Sequence, residues 1–179
     1  MSNLPLRLGC LFTLILTLNA CTSTPPTKST NTPPTRDSYY QQLANTPLPK
    51  HLPIPVQGVQ PNQLVDTWGN ARSHGRVHEG IDILSKRGTA VISTTDGIVS
   101  RISSYGAGGN AITVVSYGLS QHYYAHLDSF GVYRIGDRVK VGDTLGYVGD
   151  SGNATTTHLH YGIYLSPGRT AVNPYPYLR

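Results

Sequence analysis

From residue 56 to residue 179 no stretch of ten residues carries a helical repeat of apolar positions. That absence limits the fold more than any other feature of the chain. Short runs rich in β-branched and aromatic residues take the place of helices, and Gly- and Asp-bearing turns such as Thr95-Asp96-Gly97, Gly136-Asp137 and Gly142-Asp143 cut them apart. The pattern predicts strands over 90–93, 97–103, 110–117, 120–127, 144–148 and 159–165. Short strands at this spacing build an antiparallel sandwich or barrel. Tyr outnumbers Phe by 12 to 2 and charged residues make up only 13%, a composition suited to strands and tight turns.

The first residues do not share this pattern. Arg7 and the amino terminus precede an apolar run over 8–18, too short to span a bilayer and of the length of a signal-peptide core. The run ends in Leu18-Asn19-Ala20-Cys21, which resembles the lipobox of bacterial lipoproteins, although Asn19 is unusual in such a box. The resemblance implies cleavage before Cys21 and lipid on its sulfur, so that residues 1–21 are a signal segment and the mature protein is held to a membrane. Cys10 would leave with that segment. The chain has no other cysteine, so no disulfide or Cys-based metal site is expected in the mature domain. Residues 22–36 are Thr, Pro, Ser, Lys, Asn and Arg without a large apolar side chain, and read as a tether that cannot bury enough surface to order itself. A short helix over 38–45, capped by Asp37, and prolines at 47, 49, 53 and 55 complete a tether drawn over 22–55. The folded domain is expected over 56–179.

The net charge is +5, with Lys and Arg scattered rather than gathered in a run or stripe. Nucleic acid is therefore not an expected partner, and mild attraction to an anionic polymer or membrane surface is.

Histidines carry the chemistry. In Thr157-His158-Leu159-His160-Tyr161 an extended chain points His158 and His160 to one face and Leu159 to the core. In Val77-His78-Glu79-Gly80-Ile81-Asp82-Ile83 it puts His78 and Asp82 on one face and Ile81 and Ile83 on the other. Two imidazoles and a carboxylate make a three-ligand set with a fourth position open, as in catalytic zinc sites. Position 82 is Asp, so the His78-Glu79 pair does not begin an HExxH helix. His126 lies near the end of a predicted strand, and His122, at even spacing, is placed on the same face. His51, His74 and His122 pair with nothing at a motif spacing and are read as surface or rim residues.

Five motifs then occur in order: His78-Glu79-Gly80-Ile81-Asp82-Ile83, Arg87-Gly88-Thr89-Ala90-Val91, Asp96-Gly97-Ile98-Val99, Tyr124-Ala125-His126-Leu127 and His158-Leu159-His160, with Val141-Gly142-Asp143 and Gly149-Asp150-Ser151-Gly152 between the last two. Over about 65–165 the chain resembles the M23 metallopeptidases, the LytM/lysostaphin-type peptidoglycan endopeptidases. The resemblance implies a mainly β fold, an antiparallel sandwich of the LytM-like duplicated-hybrid type with a zinc-binding groove. It implies Zn2+ held by His78, Asp82 and His160, with His126 and His158 as unligated catalytic histidines. The implied activity is hydrolysis of peptide cross-links in peptidoglycan. The alternative is a LytM-like module that has no activity of its own and activates another wall hydrolase. Peptidoglycan peptides, a membrane reached through the lipid, and cell-division or wall-synthesis proteins are the implied partners. The implied location is the cell envelope, at the outer membrane facing the periplasm in a Gram-negative host. Thr157 stands where the family often has Pro, and Tyr161-Gly162-Ile163 where it often has an acidic residue.

Overall fold

The computed structural model describes residues 34–179; the signal segment, Cys21 and the first part of the tether lie outside them. One helix, α1 (Arg36–Asn45), is followed by nine strands: β1 (Ile81–Leu84), β2 (Ala90–Ile92), β3 (Gly97–Ser104), β4 (Asn110–Val115), β5 (Gln121–Phe130), β6 (Arg138–Val139), β7 (Thr144–Val148), β8 (His158–Leu165) and β9 (Thr170–Val172). Every pairing is antiparallel. The strand order is β1-β8-β5-β4-β3-β6, with β9 beside β8, and β7 linking β5 to β2. The mainly β antiparallel expectation holds. The short strands β6 and β9 were not among the predicted runs, and β1 overlaps the stretch 77–83 that was read as extended.

β5 is the hinge of the architecture. Residues 121–127 pair with β4 and β8, whereas 127–130 pair with β7. The register breaks between Leu127 and Ser129, and an irregularity of this kind lets one strand serve two parts of a sheet. The core lies on the face carrying Ile81, Ile83, Tyr124, Leu127, Leu159 and Tyr161. Burying Ile81 or Ile83 contributes roughly 1.5–3 kcal/mol each, which ties β1 to the sheet by its inner face and leaves the other face for function.

The helix begins earlier than predicted. Thr35, not Asp37, is the N-cap, and its side chain accepts from the Ser38 N–H at 3.2 Å. The stretch 34–55, drawn with the tether on composition, is packed. Leu43 is 1% exposed, the Arg138 guanidinium lies 4.4 Å from the Tyr39 ring, and the Leu52 N–H donates to the Tyr177 carbonyl at 2.7 Å. Prolines preset an extended backbone, and Leu48, Leu52 and Ile54 give it an apolar edge that docks on the core.

His122 also differs from its expected rim position. Its side chain is 0% exposed and sits in a closed hydrogen-bond chain. The Ser120 hydroxyl donates to the Tyr117 carbonyl at 2.7 Å, so it accepts from the His122 Nε2–H at 3.1 Å. His122 Nδ1 then accepts from the Tyr161 hydroxyl at 2.7 Å, which takes its own hydrogen bond from Thr94 at 2.9 Å. Every member is satisfied only while His122 is neutral. His51 is exposed as expected, with Nδ1 3.1 Å from the Arg179 carbonyl oxygen; the His74 ring lies outside the described residues.

Candidate metal centre and groove

Antiparallel register brings the first two groups together. Asp82 of β1 lies directly across from His160 of β8, and Ala125 of β5 flanks His160 on the other side. Paired residues share a face, so the small alanine leaves room above the sheet. His78 reaches the same point from a loop rather than a strand. The loop is a narrow hairpin in which Gly69 N–H donates to the His78 carbonyl and His78 N–H to the Asn70 carbonyl, both at 2.9 Å. Gly80, between ligand candidates, has no room for a side chain: a Cβ there would sit 2.6 Å from the Tyr161 carbonyl oxygen and 2.8 Å from the His160 ring.

His78 Nε2 lies 2.8 Å from His160 Nδ1 and 3.0 Å from Asp82 Oδ1, and His160 Nδ1 lies 3.3 Å from Asp82 Oδ1. The other nitrogen of His78, Nδ1, donates to the Thr67 carbonyl at 2.7 Å. With its ring proton committed there, neutral His78 brings a bare lone pair against a carboxylate oxygen and a second ring nitrogen. A cation stabilises such a convergence. The spacing also suits one, since ligands about 2.0–2.2 Å from a tetrahedral ion stand roughly 3.3–3.6 Å apart, and small outward shifts of the side chains close the difference. These three residues form a group able to hold a metal ion among the described residues.

Thr67 acts twice, because its hydroxyl also accepts from the Asp82 N–H at 2.9 Å. The second carboxylate oxygen, Asp82 Oδ2, is bound by Arg72 Nη2. Burial pushes the Asp82 carboxyl up, but its contacts with the His160 and His78 rings outweigh that and hold it well below the usual carboxylate range. Burial pulls the His160 ring down, against the opposing pull of Asp82. Both shifts leave the groups unprotonated near neutral pH, the state a ligand needs.

His126 reaches the groove by a different route. Tyr124 and His122 point into the core and Tyr123 and Ala125 away from it, so strict alternation would turn His126 inward. Its φ of 63° reverses the alternation there, sending His126 outward and Leu127, 0% exposed, into the core. A histidine in this left-handed conformation costs on the order of 1–2 kcal/mol. Two neighbouring loops offset that cost: the His126 N–H donates to the Gly108 carbonyl at 2.9 Å and Nδ1–H to the Ser151 carbonyl at 2.8 Å. Those loops meet backbone to backbone, for a Cβ on Gly152 would lie 2.4 Å from the Ala107 carbonyl oxygen. His122 therefore does not share the face of His126, as even spacing had suggested.

His158 Nδ1–H donates to the Thr156 carbonyl at 2.8 Å, and its Nε2 lies 3.5 Å from Asp82 Oδ1. The His126 and His158 rings are 4.8 Å apart between centroids. In both residues the carbonyl fixes the proton on Nδ1, so that neutral Nε2 is a free acceptor. Burial lowers the His126 pKa to about 4, with the Ser151 contact opposing it. All five residues singled out in the sequence line one groove of about 920 Å3. Sequence reasoning did not find Thr67, Arg72, Ser151 or Thr156. Thr67, Ser151 and Thr156 meet the histidines through backbone carbonyls, which any residue type supplies, so residue type alone did not reveal those contacts.

Comparison with known proteins agrees with this geometry. The profile of peptidase family M23 matches residues 76–174. Over 125 residues the chain is 39% identical to the L-Ala–D-Glu endopeptidase of Bacillus subtilis, covering 63% of this chain and 38% of that protein. It is 34% identical over 110 residues to the glycyl-glycine endopeptidase ALE-1 of Staphylococcus capitis, covering 59% and 30%. The chain thus spans well under half the length of these two relatives. The catalytic domain of the antimicrobial peptidase lysostaphin from Staphylococcus simulans superposes with a TM-score of 0.57 at 30% identity, covering 65% of this chain and 92% of that domain. A match over more than half of the sequence, with a mainly antiparallel fold to go with it, makes the chain a member of peptidase family M23.

Proposed function

We propose that this protein is a zinc-dependent endopeptidase that hydrolyses peptide cross-links of peptidoglycan. The observation carrying the proposal is the meeting of His78, Asp82 and His160 at 2.8–3.3 Å beside two further histidines whose Nε2 atoms face an open groove. His78 Nε2, Asp82 Oδ1 and His160 Nδ1 would hold the ion. Bound there, zinc supplies a Lewis acid and brings the pKa of a water molecule to about 7. His126 and His158 handle protons at Nε2: neutral, each accepts one from water; protonated, each returns it to a departing amine or donates to an oxygen that gains charge. The Ser151 and Thr156 carbonyls keep both rings in the tautomer this requires. Arg72 occupies Asp82 Oδ2 and so keeps Oδ1 turned to the histidines.

Elemental analysis of the full-length chain is expected to find about one zinc per molecule, as three protein ligands imply. Cleavage of purified cross-linked muropeptides should stop with a chelator and return with zinc. Metal-free protein that still cleaves would overturn the mechanism. A zinc-loaded chain that cleaves no muropeptide but stimulates another wall hydrolase would establish the activator reading instead.

The lipobox-like Ala20-Cys21 supports a location to match: residues 1–21 as a lipoprotein signal, Cys21 as the lipidated residue, and a tether reaching the wall from the outer membrane. Cells fed a clickable fatty acid should label the protein in the outer-membrane fraction, and Cys21→Ala should remove the label. Labelling that survives this substitution would sink the anchor.

A further inference from the structure

We infer that Arg76 forms a subsite in the groove for a free carboxylate of the peptide being cut, so that the preferred substrates are cross-linked peptides bearing an unamidated carboxylate close to the scissile bond. The inference rests on the proposed peptidoglycan reading and narrows it. Arg76 lines the groove on the hairpin that carries His78. Its Nε–H donates to the Ser73 carbonyl at 3.2 Å and an Nη2–H to the Ser73 hydroxyl at 3.3 Å. Both partners are neutral, and both bonds are long. They pin one edge of the guanidinium plane and leave three of its five N–H groups uncommitted. A planar fork held in this way is prepared for bidentate binding of a carboxylate.

The other charges in the groove do not neutralise it. Arg72 is taken up by Asp82. Glu79, the remaining acid lining the groove, lies beside Tyr164, where its charge adds to burial in raising the tyrosine pKa. Among the described residues no carboxylate forms an ion pair with Arg76. Val65, Val77 and Leu84 line the same groove at 61%, 61% and 70% exposed. A peptide laid over these side chains displaces water from around the guanidinium, which strengthens its attraction for an anion. A bridge of glycines alone offers Arg76 only neutral carbonyl acceptors. A stem peptide with a free carboxylate offers the group of matching charge and shape.

The test uses the zinc-loaded full-length chain and paired muropeptides of one cross-link, with their free carboxylates intact or converted to amides. The wild type should prefer the acidic member by about 10-fold in kcat/KM, chiefly through KM, because the contact is made equally in the ground and transition states. The preference should shrink as salt is raised. Arg76→Gln should bring the ratio close to one while leaving the rate on the amidated peptide unchanged, and Arg76→Lys should keep part of the preference. Equal cleavage of both peptides by the wild type, or a preference that survives in Arg76→Gln, would overturn the subsite. If no muropeptide is cleaved, the peptidase reading fails on its own. Fluorescence-anisotropy titration of the same labelled peptides onto the metal-free chain then decides the subsite separately: tighter binding of the acidic peptide, lost in Arg76→Gln, upholds it, and equal binding rejects it.

Discussion

His158→Ala is expected to keep its zinc and to lose turnover by roughly two to four orders of magnitude, the scale of a positioned proton-transfer group, whereas His160→Ala should lose metal and activity together. The two residues lie two positions apart on one strand and face the same way, yet they meet different partners. His160 Nδ1 stands 2.8 Å from His78 Nε2 and 3.3 Å from Asp82 Oδ1, among the proposed ligands. His158 contributes only an Nε2 that lies 3.5 Å from Asp82 Oδ1. His126→Ala should follow His158→Ala; His78→Ala and Asp82→Ala should follow His160→Ala. Alanine at position 126 meets the same positive-φ cost as histidine, so that strain largely cancels, and thermal melts guard against collapse of the others. The measurement pairs zinc content with initial cleavage rate for all five variants. Zinc lost from His158→Ala but retained by His160→Ala would interchange ligand and proton carrier.

The second large effect concerns stability in acid. Burial depresses the His122 pKa to about 3, against about 6.5 in an unfolded chain. Between those values the unfolded chain binds a proton that the folded chain refuses. The contribution of His122 is therefore fully present above pH 6.5 and is lost as pH falls toward 3, at up to about 1.4 kcal/mol per pH unit and on the order of 5 kcal/mol in total. Burial of the ring is the physical cause, and the hydrogen-bond chain adds to it: a proton on Nδ1 would deprive the Tyr161 hydroxyl of the acceptor it now uses. Replacing His122 with Gln removes the titration. At pH 7.5 that variant should be less stable by about 1–3 kcal/mol, for the partners it leaves imperfectly bonded. Its stability should then fall less than the wild type's between pH 6.5 and 4, so that the two unfolding curves converge. Denaturant melts at half-unit pH steps, both proteins loaded with zinc, measure the difference. Parallel curves across that range would remove His122 as the acid-labile point.

The common face of His158 and His160 was legible in the sequence, and so was the inward orientation of Ile81, Ile83 and Leu159; the meeting of Asp82 with His160 followed only from the family resemblance. Alternation along a strand is local: a residue's face follows from the backbone next to it, and pairing two such strands keeps their faces in common. The same rule fails at His126, because its direction is set by a positive φ that the Gly108 and Ser151 carbonyls hold from two other loops. His122 gave no local sign of burial either. A histidine enters a core only when hydroxyls from Ser120, Thr94 and Tyr161 arrive to satisfy it, and two of those three come from distant strands or turns. The packing of residues 34–55, the grip of Arg72 on Asp82 and the free edge of Arg76 depend likewise on which distant segments meet. The longer strands, the Gly- and Asp-bearing turns between them and the residue types able to hold a metal and move protons are local properties, readable along the chain. Tertiary structure alone decided which histidines face the groove, which atom of each is free, and which charges remain unpaired, since those follow from contacts between segments far apart in the chain.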